Sequence, residues 1–201
     1  MRIFFLAFIF IFTLINVNAQ QNDTTQQIDH ADSSYYVNFS GDKTYFKTGA
    51  IQWSDKGFRI LDKDKKGNYI INSGVFIEAK NVKKLVYGAT VYMNFPGEFG
   101  RNNLIAVIAY SDKYILGFED SGQKSLYVYD LEGKALTKRM MVNNKKYYKK
   151  AYTEIQFYFR ECADFLNLFS AFIEQFEGYD SPSVMSYISM FKCGSKELFK
   201  D

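Results

Sequence analysis

Histidine is almost missing from this chain. It occurs once in 201 residues, as His30, in a polar stretch ahead of the region that reads as folded. A domain without imidazole has no Ser-His or Cys-His nucleophile pair and no histidine metal ligand. Most hydrolase mechanisms are excluded with it, leaving those run by carboxylates or by lysine. An excess of one charge is also lacking: 25 Lys and Arg face 22 Asp and Glu, for a net charge of +3 at pH 7. That balance argues against a nucleic-acid binder and against a strongly acidic partner. No motif calls for a cofactor or a metal.

Apolar runs long enough to cross a bilayer, about 20 residues, are absent as well. The chain opens on a shorter one. Arg2 is the only charge among the first nineteen residues, followed by apolar Ile3 to Ile15 and then Asn16-Val17-Asn18-Ala19. A positive start, a short apolar segment and modest residues at positions −3 (Val17) and −1 (Ala19) describe a secretory signal over residues 1–19, cut between Ala19 and Gln20. A retained N-terminal anchor is the alternative; a lipid anchor would need a cysteine where Gln20 stands. Removal leaves about 180 residues, one domain's worth with room for a real core. The expected location is exported, either periplasmic or secreted.

Cysteine is scarce too, with Cys162 and Cys193 the only two. In an oxidising compartment the default for an even pair is a disulfide; two buried thiols is the other reading. With no histidine in the folded region, neither is expected to be catalytic.

What is present reads as strands first and helices last. Residues 20–34 form a polar tether, and 35–201 a single domain, β-rich over 35–145 and helical over 146–194. The predicted strands are Tyr35–Phe39, Thr44–Trp53, Gly57–Leu61, Tyr69–Asn72, Val75–Ala79, Ala89–Phe95, Leu104–Tyr110, Tyr114–Glu119, Ser125–Tyr129 and Leu136–Val142. Gly- or Asn-bearing turns such as Ser40-Gly41-Asp42 and Glu132-Gly133 separate them. Leu104 to Ala109 is apolar throughout, so it reads as a central strand covered on both faces. Leu126 and Val128 share one face of their strand and Tyr127 and Tyr129 the other, where a helix or a ligand could lie. Tyr152, Ile155, Phe159 and Cys162 fall at helical spacing, and Leu166, Phe169, Ile173 and Phe176 continue it after a break near Cys162. Ser181-Pro182 reads as the start of a last helix that buries Val184, Tyr187, Ile188 and Phe191 and ends at Cys193-Gly194. The expected fold is α+β: an antiparallel β-rich body, either a curved sheet or a small open barrel, followed by C-terminal helices.

Candidate sites are few. Trp53, Tyr92, Tyr127 and Tyr129, with Tyr110, could make a stacking surface for sugar or peptide, against the plainer reading that they are core. Glu78, Glu98, Glu119 and Asp120 are the acids to consider for a two-carboxylate glycosidase-type site, although their spacing fixes no separation. Asn94 to Arg101 is a Gly- and aromatic-containing loop that could touch a ligand or simply connect two strands. Asp62-Lys63-Asp64-Lys65-Lys66-Gly67-Asn68 starts like a calcium loop, but Lys66 stands where an oxygen ligand belongs and Ser73 where a bidentate Glu does, so a hairpin turn is the better reading. Lys138-Arg139 and Lys145 to Lys150 are basic stretches, the second with Tyr147 and Tyr148 inside it. Cations at a helix start oppose its dipole, which suggests an anionic partner or membrane surface; a plain solvated face is the alternative.

The strand Ser125-Leu126-Tyr127-Val128-Tyr129, the helix opening Tyr147-Tyr148-Lys149, the segment Arg160-Glu161-Cys162 and a short helix closing at Cys193 resemble a diffuse group of small exported Bacteroidetes-type proteins of unknown function. A signal ending in Asn18-Ala19-Gln20 fits the same group. The resemblance covers roughly the last 80 residues. It implies export and a two-cysteine helical C-terminal region, and it transfers no catalytic residues. The function expected is that of a non-enzymatic binding or structural component of the cell envelope or secretome. Its partner would be an envelope protein or a glycan, with no nucleic acid and no transmembrane segment after signal removal. The alternative is an exported carboxylate-dependent hydrolase acting on polysaccharide or peptide. A third reading is peripheral attachment to anionic lipid through Lys145–Lys150.

Overall fold

A computed structural model describes residues 33–54, 56–96, 102–119, 124–142, 145–175 and 190–199. Strands β1 (Ser33–Asn38) and β2 (Lys43–Lys47) form a hairpin, closed where Gly41 takes φ +94°. The chain then turns out of the main sheet into a small antiparallel one made of β3 (Ile51–Ser54), β4 (Gly57–Ile60) and β5 (Val75–Glu78). A 3₁₀ turn at Ala79–Asn81 brings it back as β6 (Val82–Tyr87), paired with β1. A meander follows through β7 (Thr90–Pro96), β8 (Asn102–Tyr110), β9 (Tyr114–Glu119), β10 (Ser125–Asp130) and β11 (Met140–Met141). Two helices come next, α1 (Lys145–Tyr158) and α2 (Ala163–Gln175), then β12 (Phe191–Lys192). The main sheet runs β11-β10-β9-β8-β7-β6-β1-β2 and does not close. The fold is α+β, an antiparallel β-rich body followed by C-terminal helices.

The order of layers follows from which residues each strand can bury. Leu126 and Val128 of β10, Leu116 and Phe118 of β9, and Ile108 and Ala109 of β8 make one apolar face. Ile155, Phe159, Phe165, Phe169 and Ile173 of the helical region cover it. The opposite face carries Ile105, Val107, Tyr110, Ile115, Tyr127 and Tyr129, with Val91 and Phe95 of β7. Alternation along β8 is reset by a bulge between Val107 and Ala109, so Ile108 and Ala109 both face the helices, which strict alternation forbids. A third cluster, around Phe46, Phe58, Val82 and Leu85, joins the small sheet to the main one. Gly117 sits under the second face. A β-carbon there would lie 2.5 Å from Ile105 Cγ2 and 3.0 Å from Tyr129 Cε2.

Several predicted elements change. Residues 44–53 are two strands, because Gly49 takes φ +90° and Ala50 N–H donates to Lys47 C=O at 3.0 Å, turning the chain from one sheet to the other. Tyr69–Asn72 is no strand. Tyr69 makes a lone bridge to Lys63, Asn72 is left-handed at φ 64°, and Gln52 clamps Asn72 through two 3.0 Å hydrogen bonds. Strand β6 escaped the sequence reading. The first strand begins at Ser33, so it takes in the last two residues read as tether; Ser34 is buried, its hydroxyl 2.8 Å from that of Thr48. The end of the expected last helix is also corrected: Phe191–Lys192 is a strand, parallel to Ala109 and Tyr110. Gly178, Ser181, Pro182, Val184, Tyr187 and Ile188 lie outside the described residues.

That strand belongs to a strap. β7 pairs with β8 only as far as Ala106, and β12 takes the vacated edge, with Cys193 N–H donating to Tyr110 C=O at 2.7 Å. Cys193 is disulfide-bonded to Cys162 at the head of α2, Cα to Cα 5.5 Å, as the sequence led us to expect. Beyond it, Asp112 accepts from the backbone N–H groups of Lys196 (2.8 Å) and Ser195 (3.0 Å). Phe199 meets Tyr110 edge-on at 4.9 Å. The N–H groups of Lys196 and Ser195, with the Ser195 hydroxyl, hold the Asp112 carboxyl below its ordinary range.

Three outcomes follow in denaturation experiments. Gly117→Ala should lower unfolding free energy by about 1–3 kcal/mol through overpacking, read from the urea midpoint. Cys193→Ala should cost about 3–4 kcal/mol on the chain-entropy account of a bridge spanning 31 residues. Because the Asp112 pKa is depressed on folding, its contribution is present above the unfolded carboxylate range and is lost as pH falls through the folded value. Asp112→Asn should therefore flatten the acid limb of the stability curve; an unchanged limb would show that the strap does not depend on this carboxylate.

Candidate functional site

Helix α1 starts with Lys145, Lys146, Tyr147, Tyr148, Lys149 and Lys150 and has no acid in its first turn. Helical spacing sorts this run into stripes. Lys145 and Lys149 point to Glu174 of α2, at 3.5 and 3.2 Å, and Lys145 Nζ also donates to the Glu174 carbonyl at 3.0 Å. The hydrogen bond from Lys149 and the charge of Lys145 hold the Glu174 carboxyl below its usual range. Tyr148, Ala151 and Ile155 are buried against the sheet. Tyr147, Lys150, Ala151 and Glu154 form a third stripe, spaced i, i+3, i+4 and i+7, and it lines a cleft.

The facing wall is the segment Leu136 to Met141, the edge of the main sheet. It was predicted as one strand, but only Met140 and Met141 join the ladder. Its ends are held by the backbone: Leu136 N–H donates to Val128 C=O at 2.8 Å and Val142 N–H to Lys124 C=O at 3.0 Å. Between them side chains take over. Val128 N–H donates to Thr137 Oγ1 at 3.0 Å, and Arg139 Nε donates to the buried Ser125 Oγ at 2.7 Å. The chain lifts off β10 in a blister, and the Tyr158 hydroxyl donates to Leu136 C=O at 3.4 Å from the helix side. The space between blister and helix is about 530 Å³. That lies within the roughly 300–1,000 Å³ of ligand pockets. Among the described residues, Lys138, Lys150 and Glu154 make no ion pair.

The predicted aromatic surface is divided. Trp53, 45% exposed, packs against Tyr92 at 5.1 Å, Phe58 at 5.8 Å and Tyr87 at 6.4 Å. Tyr127, Tyr129 and Tyr110 are buried on the other face of the main sheet, Tyr129 stacked on Phe95 at 4.3 Å. Burial raises the pKa of the Tyr129 hydroxyl well above its ordinary value. The face that the sequence offered to a helix or a ligand is therefore core, and the helices lie on the Leu126 and Val128 side.

The two candidate acids among the described residues, Glu78 and Glu119, are not brought together either. Glu78 lies in the small sheet, paired with Lys80 at 2.9 Å, whose hydrogen bond and charge lower its pKa. Glu119 ends β9 and accepts from the Tyr127 hydroxyl at 3.1 Å. Glu98 and Asp120 lie outside the described residues, as do Ala19, Gln20, His30 and the loop from Gly97 to Arg101. Asn94, at the start of that loop, is in β7 and donates to the carbonyls of Ala79 and Val82, each at 2.8 Å. Asp64 closes a hairpin turn on itself, accepting from Lys66 N–H (2.8 Å) and Asn68 N–H (2.9 Å). Among the described residues no group of three His, Cys, Asp or Glu is placed to hold a metal ion, and no helix is long and apolar enough to cross a membrane.

No family model, no curated protein and no solved structure matches the chain. The blister makes its own prediction. Thr137→Val removes the only hydroxyl that serves Val128 N–H, which is worth about 1–3 kcal/mol when the donor is buried. Hydrogen exchange at Val128 should accelerate accordingly, and unchanged protection would mean that Thr137 does not hold the blister in place.

Proposed function

We propose that this chain is an exported, non-enzymatic binding or structural component of the cell envelope or of the material released from it. The observation that carries the reading is the disulfide between Cys162 and Cys193, which pins the strap to the head of α2. Such bonds persist in oxidising compartments and are rare in reducing ones. The leader over residues 1–19 and the resemblance over roughly the last 80 residues support the same location. Binding is favoured over hydrolysis because the two described carboxylates that would serve a hydrolase are engaged, Glu78 by Lys80 and Glu119 by Tyr127. The cleft beside α1 offers instead Lys138, Lys150 and Glu154, which make no ion pair among the described residues.

The test is the intact mass of the protein purified from its native host, with and without reductant. The expected chain begins at Gln20 and gains the mass of two hydrogens on reduction. A chain beginning at Met1 with both thiols already reduced would overturn the proposal.

A further inference from the structure

The cleft between α1 and the blister asks for a particular chemistry. Of the four lysines that open α1, Lys145 and Lys149 share the single carboxylate of Glu174, whereas Lys150 lines the cleft. Lys138 lines the other wall, and neither has an ionic partner among the described residues. Keeping like charges close at a helix N-terminus is unfavourable, and an anion between the walls relieves both terms. The near-neutral net charge that argues against a strongly acidic partner belongs to the whole chain, whereas the attraction here is local to the cleft.

Two further groups narrow the ligand. Tyr147, 39% exposed, presents a ring at the cleft, and Glu154 presents a carboxylate, a hydrogen-bond acceptor. The ligand must therefore bring anionic oxygens to Lys138 and Lys150, hydroxyl donors to Glu154 and an apolar face to Tyr147. An acidic sugar carries all three on one ring. A lipid bilayer does not suit the site, since the cations line a concave cleft that a flat surface does not enter.

We propose that the cleft formed by Lys138, Tyr147, Lys150 and Glu154 binds an acidic polysaccharide through its carboxylate or sulfate groups. This deepens the binding reading above and rests on it. The two fail separately: terminus and thiol state test export, and polysaccharide affinity tests the cleft.

The experiment is native affinity electrophoresis of the processed protein in gels carrying polygalacturonate, dextran sulfate or neutral dextran. A parallel arm measures co-sedimentation with phosphatidylglycerol vesicles. Retardation is expected with at least one of the two anionic polymers, which identifies the anion, and none with dextran. Lys138→Gln with Lys150→Gln should weaken it at least tenfold, and Tyr147→Ala should weaken it with no change in charge. The charge-matched control, Lys65→Gln with Lys83→Gln, should bind as the unaltered protein does. Glu154→Gln separates site from field: it makes the protein more positive, yet it should bind more weakly because a hydroxyl acceptor is lost.

Thermal melting of each variant shows that it is folded, and Lys150→Gln should melt no lower than the parent. Retardation by neither anionic polymer overturns the proposal. So do an equal loss in the control pair, a stronger Glu154→Gln, or lysine-dependent uptake by the vesicles in the absence of polymer binding.

Discussion

Strands β8, β9 and β10 are covered on both faces, and this double burial is the constraint from which the other arrangements follow. One face needs aliphatic and phenylalanine side chains from the two helices, and the other needs Phe95, the tyrosines and the strap. A strand buried on both sides tolerates no polar alternation, so the main sheet is apolar where it is deepest. The bulge at Ile108 adjusts β8 to both demands, giving the helices one more residue than alternation would supply.

Helix placement follows from the same constraint. Once Tyr148, Ala151 and Ile155 are committed to the sheet, the remaining stripes of α1 have fixed directions. One meets Glu174 and the other meets the edge of the sheet. The edge strand is not free to extend its ladder, because Thr137 and Arg139 spend their polar groups on β10. An interrupted edge is also a poor template for pairing with another chain. The cleft is thus a by-product of how the last strand is fastened, and its charge is set by which lysines α2 leaves alone.

Where residues signal structure by simple periods, the sequence was readable. The two helices, the break near Cys162 and most of the meander follow from spacing and turn residues, and the disulfide from an even pair of cysteines in a chain read as exported. Strand β6 was hidden because Lys83 falls at an irregularity in its pairing with β1, where Val37 faces Lys84 and Asn38 faces Val82. Val82 and Leu85 then share a face at a spacing of three. Tyr127 and Tyr129 misled for a different reason. A tyrosine pair on one face reads as half-wet, and only the long-range approach of Phe95 and Phe199 makes that face core. Both basic stretches were visible in the chain, but a cleft between them depends on β11 lying at the sheet edge beside α1. No local pattern encodes that adjacency.

The strap carries one more implication, for the order of events during synthesis. Phe191 and Lys192 complete an edge of β8, a strand laid down some eighty residues earlier, and Leu198 and Phe199 close the tyrosine side of the core. Until these residues have been made, β8 keeps an open edge and the tyrosine face lacks part of its cover. Contacts this distant along the chain are reached late. The strap is therefore the closing step of assembly, a short segment that seals one strand edge and one core face left prepared by everything before it.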